Sequence, residues 1–228
     1  MVVVASDHPV IKHKMTYLRD KKTRPADFRR LLREISFYLG YEASRDLSTK
    51  SKTVTTPINE EYAGEKLAEK VGIIPILRAG LQMSDALVEL FPDSSVHHIG
   101  MYRTKESPMP IQYYNRLPSG QRCDLAIICD PCIASSNTLK SACSIVKKWG
   151  ATRLVVIAAI GSRGGINALQ SAHPDVNIYV GQIDEAPLTN GGMISPGIGD
   201  AGDRLFGTPD EYEEKEENQK ANGKKRKH

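Results

Sequence analysis

The chain has 228 residues, 40% of them apolar, with 31 basic and 27 acidic side chains and a formal net charge of +4. That is enough apolar material for one large core or two small ones, and too little charge to imply nucleic acid by itself. No apolar run approaches the roughly 20 residues that span a bilayer, and Met1-Val-Val-Val-Ala5 lacks the basic and long apolar regions of a signal peptide, so a cytoplasmic location is expected.

In chain order, Met1 to Ala5 reads as a short strand or arm. Phe28 to Leu39 carries apolar residues at helical spacing, with Thr23 and Asp27 as starts. Glu42 to Leu47 continues it or follows as a second helical stretch. Thr53 to Pro57 is β-branched and reads as an extended arm. Val71 to Leu77 is a predicted strand and Leu81 to Leu90 a helix. Ser95 to Tyr102 is a strand that puts His97 and His98 on opposite faces, unsuited to one metal. Leu125 to Asp130 and Leu154 to Ile160 are the strongest strands. Leu139 to Trp149 and Gly165 to His173 are helices, and Asn177 to Ile183 is the last strand. There is no internal repeat.

Strands alternating with helices predict an α/β fold: a central, mostly parallel twisted sheet flanked by helices, with right-handed crossovers. Ligands of such sheets bind beyond the carboxyl ends of the strands. Arg78, Arg103, Asp130 and Asp184 all fall at or just after predicted strand ends, which points to one site. From about 209 to 228 the chain changes character. Asp210 to Glu217 is mostly acidic and Lys224 to Lys227 basic, so a disordered charged tail is expected after a single domain over 1–208.

The four cysteines are Cys123, Cys129, Cys132 and Cys143. Cys129 and Cys132 form a C-x-x-C, but without a second pair or nearby histidines it is a poor sign of zinc. They read as buried or half-buried thiols of a reducing compartment.

Asp124-Leu-Ala-Ile-Ile-Cys-Asp-Pro-Cys-Ile-Ala-Ser-Ser-Asn-Thr138 is the most informative stretch. Leu125 to Cys129 has the continuous apolar run of a strand covered on both faces. It delivers Asp130 to its end. Ser135, Ser136, Asn137 and Thr138 then supply small polar side chains where a helix begins. A helix N-terminus offers unpaired N–H groups and a positive dipole end, a natural seat for phosphate. An acid one turn earlier suits sugar hydroxyls. By itself the turn also fits an ordinary Ser/Asn helix cap.

The segment resembles the phosphoribosyl-pyrophosphate (PRPP) signature of the type I phosphoribosyltransferases, and within them the uracil phosphoribosyltransferase family. Four further segments match that family in order: His8-Pro-Val-Ile-Lys-His13, Pro75-Ile-Leu-Arg-Ala-Gly80, Gly100-Met-Tyr-Arg103, and Pro196-Gly-Ile-Gly-Asp-Ala-Gly-Asp203 with Phe206-Gly-Thr208. One departure stands out: Ser135-Ser136-Asn137 occupies the place of the family's Thr-Gly-Gly. Glycine there permits positive φ and close approach of backbone to phosphate, and serine tolerates the left-handed region less well than asparagine.

The resemblance implies a type I phosphoribosyltransferase fold with a small hood and a flexible arm at Ser107 to Leu117. It implies PRPP binding by Arg78, Arg103, Asp200 and the loop Asp130, Pro131, Cys132, Ile133, Ala134, Ser135, Ser136, Asn137 and Thr138. Uracil would be read by backbone groups of Ile194, Gly199, Asp200 and Ala201. Asp130, Asp200 and Arg103 would be the catalytic set, with Mg²⁺ bound through PRPP rather than by a protein site. The implied reaction converts uracil and PRPP to UMP and pyrophosphate. Homodimers or homotetramers and activation by GTP are further expectations. The altered loop motivates one alternative, a weak or inactive homologue that binds nucleotide or uracil as a regulator. An RNA-binding regulator on the same fold would need a basic or aromatic face that the sequence does not show. His8 and His13 carry no catalytic expectation.

Overall fold

The computed structural model describes residues 3–5, 7–102, 109–119 and 122–208. The charged tail and Arg103 lie outside the described residues. Among those described, no helix is long and apolar enough to cross a membrane.

β1 (Val3–Ala5) opens the chain, followed by α1 (Pro9–Arg19) and α2 (Pro25–Ala43). The sequence reading missed α1, although its signals are local. His8 caps it by accepting from the Val10 N–H, proline stands in the first turn, and Ile11, Met15 and Leu18 form one buried stripe. α2 ends at Ala43, so the stretch from Glu42 to Leu47 is largely turn rather than a second helix. β2 (Thr49–Thr55) and β3 (Glu61–Leu67) form an antiparallel ribbon separate from the main sheet. The expected arm at Thr53 to Pro57 is therefore one half of a hairpin, and its polar second strand had no apolar alternation to reveal it.

β4 (Val71–Leu77) and α3 (Leu81–Leu90) fall where the sequence puts them. The strand expected over Ser95 to Tyr102 is divided into β5 (Ser95–Val96) and β6 (Ile99–Tyr102). His97 between them is buried, with its ring edge-on to Trp149 and Nε2 2.9 Å from Ser95 Oγ. Burial lowers its pKa and favours the neutral ring. β7 (Ile111–Asn115) turns back antiparallel on β6. β8 (Leu125–Cys129), β9 (Cys132–Ile133), α4 (Asn137–Trp149), β10 (Arg153–Ser162), α5 (Arg163–Ala172) and β11 (Asn177–Asp184) complete the alternation. A last helix, α6 (Ala201–Phe206), lies within the glycine-rich segment 196–208, for which the sequence predicted no element.

The main sheet has the order β1-β11-β10-β8-β4-β6-β7, parallel except for β7, with β5 beside β4 and β9 beside β10. Its core has two faces. Leu125, Ile127 and Cys129 of β8 pack with α1, α2 and α3, whereas Ala126 and Ile128 pack with α4 and α5. This explains the unbroken apolar run: alternate residues serve opposite faces, and both faces are covered.

From β4 the chain crosses by α3 to one side, and from β8 it crosses by α4 to the other. Right-handed crossovers in opposite directions put those helices on opposite faces. The loops that follow β4 and β8 therefore diverge and leave a crevice between them, the usual ligand position in open α/β sheets.

The four cysteines are free thiols, and only Cys132 is partly exposed. Burial pushes Cys123 up to about 11 and Cys143 up to about 12, and raises Cys129 as well. Thiolate is the reactive form. At pH 8 a chromogenic disulfide reagent is expected to titrate Cys132 quickly in the native protein and the other three only after unfolding. Two or more fast native thiols would contradict this core.

Candidate active site

Two cavities adjoin at the crevice. One, of about 330 Å³, is lined by Asp130, Cys132, Ala134 and the backbone-rich segment from Gly192 to Gly202, including Ile194 and Asp200. The other, of about 250 Å³, is lined by Arg78, Met101, Tyr102 and Thr138, again with Asp130 and Asp200. Ala79 and Gly202 also border both. They are two ends of one cleft. One end presents Arg78 and the first turn of α4, and the other mixes peptide groups of the 192–202 segment with apolar side chains such as Ile194 and Ile198.

Asp130 stands directly after β8, where the strand leaves the sheet. From there the chain returns to the sheet as β9: Pro131 O accepts from Ile160 N at 3.0 Å, and Cys132 and Ile133 pair with Ile160 and Gly161 of β10. Pro131 and Ile133 are buried by this pairing and line neither cavity. Ser136 is the residue before α4, with φ 65° in the left-handed region. Its hydroxyl does not cap the helix but donates to Gly165 O at 2.5 Å. Ser162 Oγ donates to Ala134 O at 2.8 Å and accepts from Gly165 N at 2.9 Å. The start of α5 thus braces the loop from behind. A Cβ at Gly165 would lie 1.9 Å from Ala134 O, so only glycine fits there. Ser135 faces a neighbouring cavity with Ser162 and Arg163. Asn137 and Thr138 form the first turn of α4, with N–H groups directed along the helix axis.

Arg78 follows β4 through a cis peptide with Leu77. Its guanidinium is half-exposed, 3.2 Å from Asp203 Oδ1, and 5.8 Å from the Phe206 ring centroid. Gly80, the residue before α3, has an ordinary φ of −62°. Its requirement is space, since a Cβ would meet Cys129 O at 2.4 Å and Ile76 N at 2.7 Å. Asp184, grouped with the site by its strand-end position, lies outside the cleft lining. It is buried and pairs with Arg19, its oxygens 2.7 and 3.0 Å from the guanidinium nitrogens.

The segment over the cleft is held from below. Gly197 N donates to Asp184 at 2.9 Å, and Arg19 donates to Gly197 O at 3.0 Å. Gly197 and Gly199 have φ of 63° and 73°, where glycine is favoured. Asp200 caps α6 by accepting from Asp203 N at 3.0 Å. Of the residues expected here, Ile194, Gly199, Asp200 and Ala201 all line the larger cavity. Met193, Ile198 and Gly202 join them without a signal of their own in the sequence. Nor did the bracing residues Arg19, Ser162 and Gly165 announce themselves, because the groups they hold, Asp184, Gly197 and Ala134 among them, are distant in sequence.

Among the described residues, no group of three His, Cys, Asp or Glu side chains is placed to hold a metal ion. The donor set of the cleft is two carboxylates, Asp130 and Asp200, hard oxygen ligands of the kind that meet Mg²⁺ together with substrate phosphates.

A parallel sheet that reverses order at β4 and β8, with an acid and a helix N-terminus at one strand end and an arginine at the other, has the fold of a type I phosphoribosyltransferase. The family model described as uracil phosphoribosyltransferase matches residues 4–208. The chain belongs to the uracil phosphoribosyltransferase family. It is 46% identical over 206 residues to the uracil phosphoribosyltransferase of Alkaliphilus oremlandii and 44% identical to that of Roseiflexus sp., each match covering 90% of this chain and 98% of the relative. A solved structure of an Aquifex aeolicus protein superposes with a TM-score of 0.84 at 33% identity, covering 90% of this chain and 98% of that one.

Ser136 offers a test of how the loop is held. Replacing it with alanine removes the bond to Gly165 and keeps the positive φ, an expected loss of about 1–2 kcal/mol. Replacing it with glycine removes the same bond but relieves the backbone, so the two effects nearly cancel. Urea denaturation of both variants reads the difference. Equal losses would show that the left-handed turn costs nothing here.

Proposed function

We propose that the protein transfers the 5-phosphoribosyl group of PRPP to uracil, giving UMP and pyrophosphate. The observation that carries this reading is the single cleft with two unlike ends, joined at Asp130 and Asp200. Ribose-5-phosphate would lie on the 135–138 turn, with Asp130 on the ribose hydroxyls. Arg78 would take the pyrophosphate by charge-assisted hydrogen bonds, together with Arg103. Uracil would occupy the larger cavity and pair with peptide groups of Ile194, Gly199, Asp200 and Ala201. Backbone acceptors and donors set against O2, N3–H and O4 reject cytosine, whose amino group puts a donor where uracil has an acceptor.

In the reaction the C1′–O bond to pyrophosphate breaks, the C1′–N1 bond forms, and uracil N1 gives up its proton. Mg²⁺ bound with the pyrophosphate would neutralise the leaving charge. Arg78 would stabilise the same charge electrostatically. The protein's other contribution is to align the two substrates and keep water from C1′. β7 belongs to the proposed arm, with Tyr113 and Tyr114 exposed for closure over PRPP. Activation by GTP enters this reading from the family resemblance alone, and a cytoplasmic location from the sequence reading of the first residues.

The β2–β3 ribbon supports self-association. Nearly every residue in it is exposed, including Val54, Tyr62 and Leu67. An isolated two-stranded ribbon is at best marginally stable in water, and a second copy of the chain would cover it. Light scattering is expected to show a dimer or larger species, and Val54→Lys with Tyr62→Lys to shift it toward monomer. Monomeric wild-type protein at micromolar concentration would refute the self-association.

The reaction itself is tested by UMP formation from uracil, PRPP and Mg²⁺. Uracil should exceed cytosine, orotate and hypoxanthine by about two orders of magnitude or more in kcat/KM. Comparable rates with orotate or a purine would overturn the base assignment. Failure to bind PRPP would leave the regulatory homologue instead.

A further inference from the structure

Arg204 lines neither cavity of the cleft, yet it reaches three backbone carbonyls, two at the end of α1 and one in the loop beside the cleft. Nη1 donates to Leu18 O at 2.6 Å and to Ile198 O at 2.8 Å, and Nη2 donates to Asp20 O at 2.6 Å. The guanidinium lies 4.3 Å from the Phe28 ring centroid. Leu18 and Asp20 end α1, so the cation also meets the negative end of that helix. Ile198 and Ala201, on either side of the Gly199–Asp200 pair, are buried, whereas Gly199 and Asp200 are exposed and line the cavity. The exposed pair is thus suspended between a carbonyl fixed by Arg204 and the start of the helix that carries Arg204.

Its neighbour Arg19, the last residue of α1, fixes the preceding carbonyl at Gly197. Two successive peptide groups of the loop are therefore tied to the same end of α1, each by an arginine. A planar guanidinium with forked donors can hold several acceptors while stacking on a ring, and an ammonium cannot reproduce that geometry.

We propose that Arg204 is a positioning residue for base recognition: by clamping Ile198 O to the end of α1, it sets where the peptide groups of Gly199, Asp200 and Ala201 meet the base. This rests on the reading of the cleft as a uracil site. It predicts a selective defect. Apart from Asp200 and Gly202, which border both ends, the PRPP end of the cleft is lined by residues at the ends of β4, β6 and β8 and by α4, none of which Arg204 bonds. The base end should therefore loosen far more than the PRPP end.

The experiment compares wild type with Arg204→Lys and Arg204→Gln in steady-state kinetics with uracil and PRPP, alongside calorimetric titration with PRPP and Mg²⁺. The expected result is a rise in the KM for uracil on the order of tenfold, a PRPP affinity within about twofold of wild type, and a weaker preference for uracil over cytosine. The lysine variant, which keeps the charge, should not rescue it. An unchanged uracil KM overturns the proposal. So does an equal loss for both substrates, which marks a general structural role and is also what a misfolded variant would give in PRPP titration. Wild-type protein that binds PRPP but does not use uracil fails the cleft reading instead, and the two failures are told apart by the wild-type assay.

Discussion

The cleft depends on one topological constraint: the chain leaves β4 and β8, neighbours in the sheet, in opposite directions. Because both crossovers keep the same hand, α3 and α4 go to opposite faces. The loops after these strands cannot pack on each other and stay open at the strand ends. Arg78 and Asp130 are the first residues past the two ends, so they face one crevice although 51 positions separate them in sequence, as 130 − 78 − 1 shows. All later features of the site decorate this gap. α4 starts beside Asp130, and the segment after β11 folds back over the opening.

The loop before α4 shows how the same turn is made without glycine. Its φ of 65° at Ser136 is uncommon for serine and costs about 1 kcal/mol or more. The hydroxyl that glycine lacks then bonds Gly165 O, an interaction of similar size. Ser162 adds a second brace at Ala134. Gly165, where a Cβ would lie 1.9 Å from Ala134 O, lets α5 press against the loop. The Ser136 hydroxyl thus adds one contact that a glycine at this position could not make.

Much of this was legible in the sequence. β4, β8, β10, β11, α3 and α4 read correctly, or nearly so, because each carries a long apolar pattern with one dominant period. Asp130 and Arg78 were placed at one site because strand ends are a local signal, whereas the hood residues were named only through the family resemblance. The failures have physical causes too. β3 is exposed on both faces, so no apolar alternation marks it. α6 has only six residues, and its cap Asp200 sits in a run of glycines that reads as loop. Asp184 was read from its strand-end position but serves as Arg19's partner beneath the loop rather than in the cleft. Arg19 and Arg204 could not be read, because an arginine that holds groups distant in sequence looks like any surface arginine.

The pair Arg78–Asp203 shows how the ligand-free cleft stays ready for an anion. Arg78 is more than half exposed, so its bridge to Asp203 is screened by water and worth only about 0–1 kcal/mol. A pyrophosphate would offer the same guanidinium a charge-assisted contact of about 1.5–3 kcal/mol. The exchange therefore favours the substrate, while Asp203 keeps a second partner in Thr208 Oγ1 at 2.5 Å. Asp203 also donates its N–H to Asp200. The arginine that would bind the pyrophosphate is in this way linked, through one carboxylate, to the helix that begins at the base. The weak bridge to Asp203 is enough to keep Arg78 at the rim of the cleft without locking it there.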